Sequence, residues 1–312
     1  MHYPVTPYIR KIVRISLMLI PLVVFLRGST FAIETRVKTT EFECGKTTIT
    51  INGDEQRVAM EGPISLKRED MTLKAQKGVA IFQSEPNGGN IEIKSVSLTG
   101  SVRYTDKAGY TGQCSNADYD FIRDKAHFKG AVQLSGNGMI LKSDEVDYNP
   151  ESQEFTAKKM VHYEGSSRHM SLLASGDKGT DVPFSVDCET ITIKRLQGSA
   201  YASGGIKFKS LDTVIECDEV NLTFVDNEIV KIESAGKVTF NDPDLTANAD
   251  KAIYDKSKQR LILTAGVKRK DVFAIFRGQE IRGKEVTMNL TDGREITLGE
   301  GRVNITPSKK ER

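Results

Sequence analysis

A short phrase recurs down this chain at a nearly fixed offset, and this repeat constrains the fold more than any other feature. Each copy begins with Gly-x-Val or Gly-x-Ile, and fourteen residues after its glycine an acid opens a second apolar run. The matched copies are Gly130-Ala131-Val132 with Asp144, Gly204-Gly205-Ile206 with Asp218, and Gly236-Lys237-Val238 with Asp250. Looser copies are Gly62 with Gln76, Gly100 with Asp118, and Gly266 with Lys284. A step of about thirty residues is typical of stacked supersecondary units rather than of an enzyme with one unique site.

The first thirty-two residues have the layout of an export signal. Basic residues, the last of them Arg14, precede an apolar run over residues 15–26, and a small-residue stretch ends at Ala32. The run has twelve residues, which is short of the ~20 that a membrane-spanning helix needs. We favour a signal peptide cleaved after Ala32, and the alternative is an uncleaved N-terminal anchor. Either way, we expect the rest of the chain in the periplasm or outside the cell, possibly tethered to the inner membrane in the second case.

The charge of the exported part excludes one class of function. Removing the four basic residues of the export signal from the total of 44 leaves 40 against 42 acids, a net charge of −2. Without a basic patch, we predict no nucleic-acid partner. The remaining length of about 280 residues is ample for a substantial core in one or two domains.

Alternation of apolar and polar residues with period two runs through most of the chain after residue 33. This pattern, rich in β-branched side chains, predicts half-buried strands. Turn-forming pairs such as Asn52-Gly53 and Asp292-Gly293 separate the strands and predict antiparallel neighbours. Helical periodicity is nearly absent, so the sequence predicts an all-β protein.

The phase of the alternation changes at each repeated acid. In one matched copy the inward residues are Ile215 and Cys217 before the acid, but Val220 and Leu222 after it. A regular strand cannot change parity without turning its side chains to the other face. We therefore predict a bulge or bend at Asp144, Asp218 and Asp250, where each unit folds across the two faces of a V-shaped sheet pair.

Stacking such units predicts an elongated, V-shaped β-jellyroll of antiparallel hairpins over residues 33–306, followed by a polar tail at 307–312. A Gly/Ser-rich stretch at 165–182 is either a seam between two half-rolls or a long loop. One face of every strand would line an apolar inner groove. The predicted groove residues are Val132, Leu134, Tyr148, Phe155, Ile206, Phe208, Leu222, Phe224, Val238, Phe240, Tyr254, Leu261, Leu263 and Val286.

The repeat resembles the OstA-like family of lipopolysaccharide-transport proteins, which includes LptA, the periplasmic domain of LptC and the N-terminal domain of LptD. The residues that resemble the family best are 236–267, followed by 130–148. The resemblance extends from about Gly62 to Ile305. It departs from the family pattern at Gln76 and Lys284 and is indistinct around Gly165. It implies a periplasmic bridge protein that shields the acyl chains of lipid A during transport to the outer membrane. It also implies an inner-membrane transporter complex, an outer-membrane assembly protein and other Lpt-type jellyrolls as partners, the last of these joined by edge-strand addition.

Alternative functions remain open from the sequence. With a retained anchor, the chain would be an LptC-like docking protein of the inner membrane. A closed jellyroll with a packed core and no ligand would show the same apolar pattern. A β-solenoid adhesin or polysaccharide lyase is the alternative from another class, although catalytic acids would then occur once rather than in register.

The remaining reactive side chains suggest no catalytic or metal site. The histidines have no Cys or acid at metal-ligand spacing, and the repeated acids are expected to be corner formers. We therefore predict no enzyme activity, no metal and no cofactor. Cys188 and Cys217 each precede an acid at equivalent repeat positions, so they would form a disulfide if their strands were neighbours. The four cysteines contain no Cys-x-x-Cys pair.

Overall fold

The computed structural model describes residues 40–68, 71–84, 91–107, 109–136, 138–167, 182–225, 228–289 and 296–304. The predicted export signal at 1–32 and the polar tail at 307–312 lie outside these residues. Nearly all of the described chain is in antiparallel strands, and its helical element is a 3-10 turn at Arg195–Gln197. No helix in the described ranges is long and apolar enough to cross a membrane. The predicted all-β jellyroll class is confirmed.

The chain forms two compact units that divide between Arg123 and Asp124. In the first unit, β2 to β6 pair in chain order, from β2 with β3 to β5 with β6, and β1 pairs with the second half of β3. The strands are β1 (Thr40–Glu43), β2 (Lys46–Asn52), β3 (Glu55–Arg68), β4 (Met71–Ser84), β5 (Ile91–Asp106) and β6 (Thr111–Asp120).

In the second unit, β7 to β14 also pair in chain order. The two short strands β15 and β16 then share the place of one long strand between β14 and β17, and β17 pairs with β18. The strands are β7 (Lys125–Gly136), β8 (Met139–Asn149), β9 (Glu154–Ser167), β10 (Val182–Lys194), β11 (Ser199–Ser210), β12 (Thr213–Val225), β13 (Glu228–Asn241), β14 (Leu245–Asp255), β15 (Arg260–Thr264), β16 (Val272–Phe276), β17 (Gln279–Asn289) and β18 (Ile296–Asn304).

The stretch at 165–182 joins two strands that pair with each other. β9 and β10 are in register from Val182 opposite Ser167 to Lys194 opposite Glu154, with one irregularity between them. A division into half-rolls near 165–182 stays a prediction.

The predicted bulges are confirmed, and they explain the fourteen-residue offset. In the β13–β14 hairpin, Ala235 pairs with Lys251 and Val238 with Ala249, so two residues, Gly236 and Lys237, lie opposite the single residue Asp250. The other two matched copies have the same arrangement of a Gly-x pair opposite the acid. The repeat is therefore the register of one bulged hairpin, and we call each bulge a corner because the buried face changes parity there.

The looser copies agree with this rule in part. Gly62 lies opposite Gln76 as the repeat predicts, because Glu61 pairs with Lys77 and Ile64 with Ala75. Gly100 and Ser101, however, lie opposite Ser115 rather than opposite Asp118. At the last copy, residues 265–271 replace the two-residue bulge opposite Lys284, and this longer insertion accounts for the offset of eighteen.

Left-handed backbone explains why the first bulge position is so often glycine. Gly204 and Gly205 have φ of 84° and 59°, a region that glycine enters without steric cost. An added Cβ at Gly204 would lie 2.6 Å from the Cβ of Glu189, whereas nothing lies within 4 Å of the same atom at Gly205. The first position therefore needs glycine for space as well as for backbone conformation.

Candidate lipid-binding groove

The inner face of the second unit carries apolar residues that are in register from strand to strand. On one side of the corners, the inward residues nearest to each corner form a row across the strands, which we call the floor row. Its members are at most 7% exposed, and Ser234 is the polar exception. The floor row consists of Phe128, Val146, Ala157, Ile191, Ala202, Val220, Ser234, Ala252, Leu263 and Val286.

A second row lies two residues farther from the corners, and we call it the rim row. All its members are apolar or aromatic, and on β8, β10, β12 and β14 they are only half-buried. The rim row consists of Tyr148, Phe155, Ile193, Ala200, Leu222, Ile232, Tyr254, Leu261 and Met288.

A third row, which we call the facing row, runs along the strand halves on the other side of the corners. Its members are buried except for the half-buried Phe208. The facing row consists of Leu134, Leu141, Tyr163, Val186, Phe208, Ile215, Phe240, Ala247, Ala274 and Ile281. Both halves of each strand thus present apolar side chains to the interior of the jellyroll.

All of the predicted groove residues lie on this inner face, but they differ in how far they are covered. Those that are half-buried are Tyr148, Phe208, Leu222, Phe224 and Tyr254. Those that are buried are Val132, Leu134, Phe155, Ile206, Val238, Phe240, Leu261, Leu263 and Val286. The protein's own side chains cover the deeper residues, and the half-buried set remains partly accessible to solvent.

Two aromatic pairs lie among the inner-face residues of the second unit. The rings of Tyr148 and Phe155 stack with their centroids 4.3 Å apart, and those of Phe184 and Phe208 are 5.9 Å apart. Burial, with the nearby charge of Asp255, raises the pKa of the Tyr254 phenol, so this ring stays neutral. Of these rings, Tyr148, Phe208 and Tyr254 are half-buried and leave part of a large apolar face accessible. Phe155 and Phe184 are buried.

The first unit also has a buried inner face, and none of its residues is in the predicted groove set. Leu66, Leu73, Val96, Leu98 and Val102 are all nearly inaccessible to solvent. The period-two alternation of these residues in the sequence could have identified them as inward-facing. The copies around Gly62 and Gly100 match the repeat less well, however, so the phase of the matched copies could not be carried over to them.

The predicted Cys188–Cys217 disulfide is wrong. Both cysteines are free and buried. β11 pairs with β10 on one side and with β12 on the other, which places it between the two thiols. Two strand spacings amount to about 9.5 Å, beyond the Cα separation of about 7 Å that a disulfide tolerates.

The outer face carries ion pairs, of which those of His162 are an example. His162 Nδ1 lies 2.6 Å from Asp187 Oδ1, and Nε2 lies 2.7 Å from Glu164 Oε1. Hydrogen bonds to Asp187 and then to Glu164 raise the pKa of His162. Across the described residues, no cluster of His, Cys, Asp and Glu side chains is arranged to hold a metal ion.

Comparisons with known proteins assign this chain to a family. No curated protein matches the chain. A similar solved structure is LptH, the LptA homologous periplasmic component of the conserved lipopolysaccharide transport device from Pseudomonas aeruginosa. It is 17% identical, with a TM-score of 0.35 over 40% of this chain and 96% of that one. The family described as LptA/(LptD N-terminal domain) LPS transport protein matches residues 47–154 and 185–294, more than half of the chain. The chain therefore belongs to the LptA/LptD N-terminal domain family of lipopolysaccharide transport proteins.

Proposed function

We propose that this chain is a periplasmic lipopolysaccharide-binding bridge protein that shields the acyl chains of lipid A inside its jellyroll on the way to the outer membrane. The observation that supports the proposal most is the rim row, which stays apolar from β8 to β17. The family is one of transport proteins and not of enzymes, which disfavours the adhesin or lyase alternative.

The energetics of acyl chains explain why such a row is useful. Each methylene removed from water contributes about 0.8 kcal/mol, so a saturated chain of about a dozen carbons gains on the order of 10 kcal/mol. A lipid with several chains cannot cross an aqueous compartment without a comparable apolar surface. A row of similar side chains lets the lipid move between equivalent positions without a deep trap.

The half-buried members of the rim row are the proposed first contacts. Tyr148, Ile193, Leu222 and Tyr254 lie on alternate strands of the register. Since neighbouring strands are about 4.8 Å apart, the contacts recur about every 9.5 Å. The buried floor residues would meet lipid only when the two halves of the strands separate.

Edge-strand addition is the proposed way in which this protein meets other Lpt-type jellyrolls. β18 pairs with β17 in register from Glu280 opposite Asn304 to Met288 opposite Ile296. A strand added beside β18 would prolong the antiparallel sheet and its inner face into the partner. The inner-membrane transporter complex and the outer-membrane assembly protein would take the two ends of such a bridge.

The docking role in the inner membrane requires residues 1–32 to be retained as an anchor, whereas the bridge role requires them to be cleaved off. N-terminal sequencing of the protein isolated from cells distinguishes the two. A chain that begins just after Ala32 supports the soluble bridge, and a chain that retains residues 1–32 supports the anchored docking protein.

Single tryptophans can test the proposed groove, because the chain contains no Trp. Tyr254→Trp places the reporter in the rim row, and Tyr201→Trp places it on the exposed face of β11 as a matched control. On titration with lipopolysaccharide, we expect the emission at position 254 to shift to the blue and the emission at position 201 to stay unchanged. Equal responses at both positions, or none at position 254, would contradict the proposal.

A further inference from the structure

The corner between β15 and β16 is longer than the matched corners of the repeat. Two residues turn each matched corner, as Gly236 and Lys237 do opposite Asp250. Between Thr264 and Val272 the chain uses seven residues instead, Ala-Gly-Val-Lys-Arg-Lys-Asp, and we call residues 265–271 the long corner segment. Because two residues suffice at the matched corners, turning the corner does not by itself account for this length.

The long corner segment is held from both sides. Asp250 on β14 accepts hydrogen bonds from three of its backbone N–H groups. Lys284 on β17 donates to the backbone carbonyl of Lys270, and its Nζ lies 3.7 Å from Oδ1 of Asp271. The segment therefore has a defined shape without a bound partner.

The tip of the segment combines an apolar side chain with positive charge. Val267 is fully exposed, and Lys268 and Lys270, on either side of Arg269, are exposed as well. Arg269 is directed inward, with its Nε 3.6 Å from Oδ1 of Asp250. Within the described ranges, no carboxylate forms an ion pair with Lys268 or Lys270. These two lysines are therefore available to an external anion.

Basic residues are concentrated around this corner. Within one residue of the corners of β13, β14 and β17, and in the long corner segment, six basic side chains accompany three acids. Two of the acids, Asp250 and Asp271, already interact with the segment or with Lys284. The next corner, on β12, carries Asp218 and Glu219 instead, so the positive potential is local. The basic residues are Lys237, Lys251, Lys268, Arg269, Lys270 and Lys284, and the third acid is Glu285.

We propose that the long corner segment docks on the headgroup layer of an anionic phospholipid membrane. Val267 inserts among the headgroups, and Lys268 and Lys270 pair with their phosphates. An apolar side chain flanked by lysines suits such a surface, because burial of apolar area and attraction to anionic lipid act together there. A specific protein partner would need about 800 Å² of complementary surface, which is more than one projection of seven residues provides.

Docking at this corner leaves the groove open. Tyr254 of the rim row lies four residues along β14 from Asp250, a distance of about 13 Å at the rise of a strand. The membrane would therefore hold the second unit while its rim row stays uncovered. The inference does not depend on the proposed lipid shielding, because docking uses none of the groove residues.

Binding of the full exported chain to vesicles tests the proposal. The vesicles consist of phosphatidylcholine alone or of a mixture with the anionic phosphatidylglycerol, and cosedimentation measures the bound fraction. A double variant, Lys268→Gln with Lys270→Gln, removes both available charges, and Val267→Ser removes the apolar tip. Lys74→Gln with Lys77→Gln removes the same charge from exposed positions on β4 and is the matched control.

We expect the unmodified chain and the control to bind the mixed vesicles but not the neutral ones, with release at high salt. The double variant should bind the mixed vesicles about 25-fold more weakly, because each lysine near an anionic leaflet contributes about fivefold. Val267→Ser should bind about threefold more weakly. Equal binding by the double variant and its control would overturn the proposal, as would equal binding of the unmodified chain to both kinds of vesicle.

Inorganic phosphate separates a membrane surface from a discrete phosphate site. At constant ionic strength, phosphate should not release the unmodified chain from the mixed vesicles. Release would assign the two lysines to a phosphate site and overturn the proposal. A lack of binding to the mixed vesicles would also overturn it and would leave an acidic protein as the occupant of this surface. Neither outcome bears on the groove, which the tryptophan at position 254 tests separately.

Discussion

The backbone N–H of Gly266 donates to Asp250 Oδ2 at 2.9 Å, and an added Cβ at Gly266 would lie 2.9 Å from the same oxygen. The backbone N–H groups of Lys268 and Arg269 donate to that oxygen as well, at 3.2 and 3.0 Å. Arg269 Nε lies 3.6 Å from Oδ1, the buried oxygen of the carboxylate. The repeated acid therefore organises the long corner segment of residues 265–271.

Asp250→Ala should destabilise the protein, because three backbone donors lose their common acceptor. An unsatisfied donor costs about 1–3 kcal/mol when water cannot replace the partner, and this segment is partly exposed, so we expect a loss near the lower end. Urea denaturation measures the change, with Lys251→Ala as the control at an exposed neighbour. Equal midpoints for the two variants would mean that Asp250 does not hold the corner.

Gly204→Ala and Gly205→Ala form a matched pair at one corner. Both positions are left-handed, which costs a non-glycine residue about 1–2 kcal/mol. Only the Cβ at position 204 would also meet the side chain of Glu189. We expect Gly204→Ala to lower the free energy of unfolding by clearly more than Gly205→Ala. Similar losses for the two would show that backbone conformation alone selects glycine.

The ion pairs of His162 should stabilise the protein most in acid. His162 pairs with Lys142 on β8 and with Asp187 on β10, and its ring contacts Glu164 on its own strand. Lys207 on β11 pairs with Asp187. Because the folded pKa is raised, the stabilisation is complete below the unfolded pKa of about 6.5 and is lost as the pH rises through the folded pKa.

We therefore expect His162→Gln to cost more stability at about pH 5.5 than at about pH 8.5, by about 1 kcal/mol or less after solvent screening. Thermal unfolding at both pH values measures the difference, and high salt should shrink it. A larger loss of stability at the alkaline pH than at the acid pH would contradict a raised pKa of His162.

The cysteines should behave as buried thiols. Burial raises the pKa of Cys188 and of Cys217 to about 11, so the thiolate is scarce at neutral pH. We expect both to react slowly with a thiol reagent in the folded protein, and all four cysteines to react after unfolding. A peptide linking Cys188 to Cys217 in a non-reduced digest would contradict the free thiols.

The fold was readable from the sequence because the repeat is itself a hairpin register. Gly236 and Asp250 recur at one offset since they face each other across one bulge, and the slip in parity marks the corner. One further corner has no glycine and therefore does not match the sequence repeat. Lys159 and Met160 have φ of 66° and 49° opposite Glu189, in the place of the Gly-x pair. The surrounding strands impose a left-handed backbone there without glycine, which leaves no sign in the pattern.

How far each predicted groove residue is covered by other side chains could not be predicted from the sequence in the same way. Alternation tells which face a side chain occupies, but its coverage depends on the opposite half of the sheet, which is remote in sequence. The sequence pattern makes Val238 and Tyr254 equivalent, yet Val238 is 1% exposed and Tyr254 is half-buried. A charge introduced at Val238 would therefore act mainly on stability. Cys188 and Cys217 show the same limit, because equivalent repeat positions need not be neighbours.

Photo-crosslinking in living cells tests the proposed groove most directly. A photoreactive residue replaces Tyr254 in the rim row or, as the control, the exposed Lys251 on the same strand. We expect lipopolysaccharide to be captured at position 254 and not at position 251. Equal capture at both positions, or capture at position 251 alone, would contradict a lipid path along the inner face.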